Sequence, residues 1–374
     1  MSWFLTRESL FTEWSDAVRS LRAISVGLVL GLTVYLHSAY SQRYSVVSPA
    51  AVRRLSGLAE TMEGKYAISM SSKNLARVPI KVTHFHIEGL LPHQGSYDAS
   101  MKAFAELRMM RDFALAYRLT GDRRYLDKAS QYINAWVTYY QLSFNPIDES
   151  GLDSLMLTND LCRDDFTPAL RHKIDIFLRK MVKGYLLSIS QLNKPDSTNW
   201  QSIRIKLITM GSFALGDTHL IEAARTLYKK QIGENIHPDG SVEDFHQRDA
   251  LHYVTYDLNP LLLAADAAYA HGMDWFHWKS PVGSSLYAAV NWLVPYAQGN
   301  KRHEEFVHSD LPFDQERVQA GAPGFGKIWD PKEGLETLGL AAAMDSHFRL
   351  VVDQLRSKPG YYVNHWIVLA IWRN

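Results

Sequence analysis

The chain has 374 residues, 47% hydrophobic and 21% charged, an ordinary globular composition. Its net charge of +1 excludes a bulk basic field for nucleic acid. Its single cysteine, Cys162, excludes an intrachain disulfide and a cysteine-type zinc site, and reads as a small buried hydrophobe. At the N-terminus, Arg19 and Arg22 precede an apolar run over 23–36, and small residues follow in Ser38-Ala39-Tyr40-Ser41. Residues 1–41 therefore read as a signal peptide or an N-terminal anchor, which directs the chain to the periplasm or the exterior. No low-complexity linker divides 42–374, which reads as a single domain.

Apolar spacing predicts a helix over 49–63 and then an extended region over 78–95 that contains Pro and His. Within it, His84, His86 and Glu88 alternate like one face of a strand. That face fits a metal site, a polar cleft wall or a solvated strand. Further helices are predicted over 101–119, 124–139, 169–187, 200–215, 219–232, 250–270, 284–298 and 335–355. One pattern recurs between them. Gly121-Asp122 and Gly216-Asp217 each join two helices, and His271-Gly272-Met273-Asp274 is a looser copy. Glycine suits the left-handed residue that ends a helix, and aspartate caps the next one. Repeated hairpins of this kind close into a ring. The predicted fold is all-α, an (α/α) toroid or incomplete toroid, with function on the loops of one rim.

Three stretches concentrate chemistry. In the first, 196–206, Ser197 or Thr198 is expected to cap a helix starting near Trp200. Asn199 then sits at a helix N-terminus, where anions are favoured. Trp200, Gln201 and Arg204 follow as candidate substrate contacts, although Arg204 and Lys206 also fit exposed helix charges. The second stretch is 239–256. Projected as one helix, it places Ala250, Leu251, Val254 and Leu258 on one side and His246, Asp249, Tyr253 and Tyr256 on the other. Arg248 and His252 lie beside the polar group. A tyrosine near an arginine is a candidate base, because a cation lowers the phenol pKa. In the third, Arg302 and His303 belong to a mixed charge cluster that reads as a surface loop or a substrate rim. No HExxH, Walker, nucleophile-elbow or dinucleotide pattern is present.

The helical hairpins, Asn199-Trp200 at a helix start and the block from Asp239-Gly240 to Tyr253 together resemble the alginate lyase superfamily of α/α-toroid polysaccharide lyases. The resemblance runs from about residue 79 to 343 and is nearest to the broad-specificity polyuronate branch. It implies β-elimination on a 4-linked uronic acid polymer of alginate or glucuronan type. Asn199 and Arg248 would neutralise the C5 carboxylate, and Tyr253 would transfer the proton. Where such lyases commonly carry His after the Asn, this chain has Trp200. His246, and after it His252, is therefore the candidate histidine. His84, His86, Trp200, Gln201, Arg204, Tyr256, Arg302 and His303 are the expected substrate contacts. The scheme requires no metal or cofactor. The expected partner is an anionic polysaccharide, with no nucleic acid and no membrane contact beyond the N-terminal segment, and the chain is expected to be monomeric. A toroid glycoside hydrolase would instead need two carboxylates, drawn from Asp148 or Glu149 with Glu243 or Asp244. A non-catalytic polysaccharide-binding or export protein would use Trp200 and Trp275 as platforms.

Overall fold

The computed structural model describes residues 43–373 except Pro195; the expected signal or anchor over 1–41 lies outside the described residues. Fifteen α-helices are used below: α1 Pro49–Arg54, α2 Met62–Asn74, α3 Tyr97–Thr120, α4 Arg123–Tyr139, α5 Pro146–Glu149, α6 Asp153–Cys162, α7 Pro168–Ser190, α8 Asn199–Leu215, α9 Thr218–Asn235, α10 Glu243–Arg248, α11 Leu251–Ala270, α12 Leu286–Ala297, α13 Pro312–Gln319, α14 Gly334–Ala341 and α15 Ser346–Arg356. Among the described residues, extended pairing is limited to two isolated bridges, Ile236 with Val242 and Glu304 with Ile328. No described helix is long and apolar enough to cross a membrane.

The hairpin turns form as their chemistry requires. Gly121 and Gly216 take φ of 72° and 63°, and the Asp122 and Asp217 carboxylates accept from the first-turn amides of α4 and α9. Successive contacts of α3, α6, α8, α11 and α14 build an inner arc. Helices α4, α7, α9, α12 and α15 pack outside it, each on an inner neighbour. The C-terminal turn Ile367–Ile371 touches both α14 and α2, which links the two ends of the arc. The result is an α/α toroid. Burial follows the layers: α8 is buried at every residue but Trp200, so α8 is the central stave.

Two predicted helices are broken. The 49–63 segment splits into α1, a 3-10 turn and the start of α2, because Thr61 accepts from the Gly64 amide and opens a new helix. The 335–355 segment splits into α14 and α15, where Asp345 caps the second helix.

The lead-in to α10 depends on Gly240. It lies at φ 93° in the turn closed by the Ile236–Val242 bridge, and a Cβ there would sit 2.8 Å from the Ala288 carbonyl oxygen and 3.0 Å from Trp292 Cβ. Both the conformation and the space exclude a side chain. Gly240→Ala is expected to lower stability by about 1–3 kcal/mol. Urea unfolding with an unchanged midpoint would contradict this.

Candidate active site

Asn199 opens α8, but neither Ser197 nor Thr198 caps the helix as expected. The Thr198 hydroxyl donates instead to Asp196 (2.8 Å), and the cap comes from α10. There the Asp244 carboxylate accepts from the Asn199 backbone N–H (2.6 Å) and from its side-chain Nδ2 (2.5 Å). A carboxylate at a helix N-terminus is favourably placed. Asp244 is 1% exposed, and burial pushes its carboxyl up to about 6 against the pull of Asn199 and Arg248. The Asn199 carbonyl oxygen is buried and unpartnered. Leaving a buried acceptor unmade costs about 1–3 kcal/mol, so a purely structural role would waste it.

Asp249 joins α10 to α11 in the left-handed region, at φ 51°. This corner turns α11 back so that the Arg248 guanidinium lies over the Tyr253 ring, 3.9 Å from its centroid. Arg248 also donates to Asp314 (2.7 Å). Burial raises the Tyr253 phenol, outweighing the opposite pull of Arg248 and Arg317. The expectation of a lowered phenol is therefore corrected: desolvation wins, and the cations reduce the rise. Tyr256 meets the Tyr253 ring edge-on at 6.0 Å, and burial pushes its phenol up as well. His252 is oriented by Glu333, whose Oε2 lies 3.1 Å from the imidazole Nδ1.

The 303–314 loop latches onto this corner. Asp249 binds His308 through its carboxylate (2.8 Å) and accepts from Phe306 N–H through its carbonyl (2.7 Å). Glu305 accepts from the Leu251 and His252 amides, at 2.7 and 3.0 Å, and so caps α11. Asp314, 1% exposed, receives Arg248 and the Ser309 hydroxyl (2.6 Å). The predicted rim cluster thus serves mainly to hold the α10–α11 corner.

A pocket of about 150 Å³ is lined by Asn199, Trp200, Arg248, His252, Tyr253 and Tyr256, together with Glu88, Gly89, Ile147 and Phe313. A wider open depression of about 1030 Å³ lies between α4 and α7. Its lining includes Arg123, Lys128 and Lys173 and none of the residues singled out for chemistry, so the smaller pocket is the candidate site.

Several expected contacts lie elsewhere. His246 was placed on the polar stripe by projecting one continuous helix, but the Asp249 corner breaks that helix. Its Nε2 lies 2.7 Å from the Ser241 hydroxyl, and its ring packs against His237. His252 takes its place in the pocket. Gln201 and Arg204 are buried at 7% and 6% exposure, with Arg204 tied to Asp196 (2.8 Å). The 83–89 segment is not a strand, because the Ile87 and Glu88 amides donate to Asp148 instead of to a neighbouring strand. His86 binds that same carboxylate (2.8 Å), and His84 is exposed outside the pocket. His303 bonds to the Asp249 carbonyl (2.9 Å), and Arg302 is exposed beyond the pocket lining. Of the remaining lining, Glu88 was read from the sequence as one residue of a possible polar cleft wall, while Ile147 and Phe313 were missed. Ile147 enters from the short helix α5 and Phe313 from the first turn of α13, both remote in sequence from Asn199 and Tyr253.

The carboxylates of the hydrolase alternative are otherwise engaged. Asp148 organises the 86–88 loop, Glu149 is fully buried against Tyr140 and Tyr185, Glu243 pairs with His237, and Asp244 holds Asn199. Among the described residues, Glu88 is the single carboxylate that lines the pocket. Trp275, at 4% exposure, packs against Tyr228 and offers no platform. Among the described residues no group of three or more acidic, His or Cys side chains is arranged to hold a metal ion.

Comparison with known proteins agrees with this architecture. The alginate lyase family model matches residues 52–303. A polysaccharide lyase from Stenotrophomonas maltophilia (strain K279a) is 28% identical over 127 residues, a segment covering 33% of this chain and 38% of that relative. An alginate lyase structure from Bacteroides ovatus superposes with a TM-score of 0.66 at 16% identity, covering 88% of this chain and 99% of the other. Alginate lyase A1-III from Sphingomonas species A1 superposes at 0.61 and 15% identity, with coverages of 88% and 98%. With more than half of its length matched by the family model, and with the fold of these structures, the chain belongs to the alginate lyase family of polysaccharide lyases.

Proposed function

We propose that this chain cleaves a 4-linked uronic acid polymer by β-elimination in the Asn199–Tyr253 pocket. The observation that carries the reading is the pocket's composition: amide, guanidinium, imidazole and phenol converge, with one carboxylate among them. Hydrolysis by paired acids needs two carboxylates flanking the bond. Elimination needs donors for an anion and one group that moves a proton.

The chemistry follows from the substrate. A uronic acid carries its carboxylate on C5. Removing the C5 proton sends charge onto that carboxylate, and Asn199, Arg248 and His252 would hydrogen-bond to it and acidify the proton. Tyr253 takes the proton from C5. The electron pair then forms the C4–C5 double bond as the C4–O bond breaks, and Tyr253 returns a proton to the departing oxygen. Tyr253 starts and ends this cycle as the phenolate, and the new chain end is 4,5-unsaturated. The pocket is smaller than a typical ligand cavity of about 300–1,000 Å³, which fits one sugar unit held deeply with the rest of the polymer along the rim. Trp200 and Tyr256 supply faces for that sugar. The arginine-preceded apolar run at the N-terminus supports export to the periplasm or the exterior, where such polymers are met.

The test is a panel of purified polymannuronate, polyguluronate, polyglucuronate and neutral glucan. Ultraviolet absorbance of the conjugated product is expected to rise with at least one polyuronate and not with the neutral glucan. A flat trace on every polyuronate, with folded protein, contradicts the reading.

A further inference from the structure

We propose that Asp244 is a positioning residue for the reaction: its buried carboxylate holds one Nδ2 hydrogen of Asn199 and so sets the direction of the second, the donor that meets the substrate. This rests on the reading of Asn199 as a carboxylate donor.

The two ends of an asparagine amide have nearly the same shape and opposite hydrogen-bonding character. An ionised carboxylate only accepts, so it selects the NH₂ end. Asp244 grips Asn199 at two points, the backbone amide at 2.6 Å and Nδ2 at 2.5 Å. One Nδ2 hydrogen is thereby engaged. The second is left in a set direction as a donor, while the side-chain carbonyl oxygen stays buried. The clamp is itself anchored. The Asn235 carbonyl accepts from the Glu243 amide at the start of α10 (3.2 Å), and its amide donates to Asp257 on α11 (2.6 Å). Asp257 also receives the Ser202 hydroxyl of α8 (2.6 Å), which in turn accepts from Gln231 of α9 (3.1 Å). Four helices thus meet beneath one amide. Arg248 sits four residues after Asp244, one turn along α10, so the same short helix carries the clamp and the guanidinium.

The test is a double-mutant cycle in the full chain: Asn199→Ala, Asp244→Ala, their combination, and the near-isosteric Asp244→Asn, with kcat and KM measured on a polyuronate that the wild type cleaves. Asp244→Ala is expected to lower kcat about 10²-fold, with KM nearly unchanged. Asp244→Asn recovers part of the loss, because its carbonyl can still accept from Nδ2. The double variant is no slower than the slower single variant, since Asp244 acts through Asn199. Additive losses, or wild-type kcat in either Asp244 variant, overturn the proposal. Wild-type kcat in Asn199→Ala overturns the reading of Asn199 itself, a separate failure. Thermal unfolding of each variant checks the fold, and Asp244→Asn carries the test if the alanine variant does not fold.

Discussion

Tyr253→Phe is expected to lose about 10²–10⁴-fold of the elimination rate, the usual worth of a positioned acid–base group, while the fold is kept. The ring stays in every contact it makes: under Arg248 at 3.9 Å, and edge-on to Phe306 at 5.9 Å and Tyr256 at 6.0 Å. Burial raises the phenol, and Arg248 and Arg317 oppose that rise. With the ring contacts kept, removal of the hydroxyl should cost less than about 1 kcal/mol of stability. The comparison variant is Tyr256→Phe, which takes away the other phenol hydroxyl of the pocket. A binding role there predicts a raised KM with kcat largely kept. Initial rates across substrate concentration separate the two, and near-wild-type kcat in Tyr253→Phe would remove Tyr253 from the mechanism.

Arg248→Ala should be nearly as severe, for two reasons that pH separates. Loss of a donor aimed at developing charge typically costs about 10²–10³-fold in kcat. Loss of the cation over the ring also removes the largest charge effect holding the Tyr253 phenol down against burial. The sign follows directly. The base must be ionised, so the rate climbs with pH until the phenol has titrated. Raising the phenol pKa shrinks the ionised fraction at any given pH and moves the climb to higher pH. The variant is therefore expected to regain rate, relative to wild type, as the solution is made alkaline. Asp314 keeps the Ser309 hydroxyl, with Arg317 at 3.6 Å, so the stability loss should stay near 1–3 kcal/mol. A pH–rate profile parallel to wild type at every pH would leave Arg248 as a binding group only.

What could be read from the sequence was mostly local. Gly121-Asp122 and Gly216-Asp217 announce their turns because left-handed glycine and the aspartate cap depend on neighbouring residues alone. The long amphipathic helices followed, and with them the toroid. Asn199, Arg248 and Tyr253 were singled out by the residue pattern and given their roles by family resemblance, and they do share one pocket. What failed was long-range. Nothing in the 239–256 pattern marks Asp249 as a left-handed corner; its conformation is held by Phe306, His303 and His308, more than fifty positions later. Reading through that corner as one helix put His246 in the site and left His252 as second choice. Asp244 looked like a hydrolase acid, because the sequence does not reveal that its partner is an amide 45 positions away. Glu305 belonged to a cluster that read as surface loop or substrate rim, and Asp314 was not singled out; both lie beyond the segment matched by the family model.

The most direct measurement counts chain ends on a polyuronate cleaved by the purified wild-type chain. Each bond broken by elimination yields one unsaturated end and one reducing end. The account predicts that ultraviolet absorbance and reducing-end assays rise in a one-to-one molar ratio from the first turnover. Reducing ends that accumulate without the conjugated double bond would contradict elimination and reassign the pocket to hydrolysis.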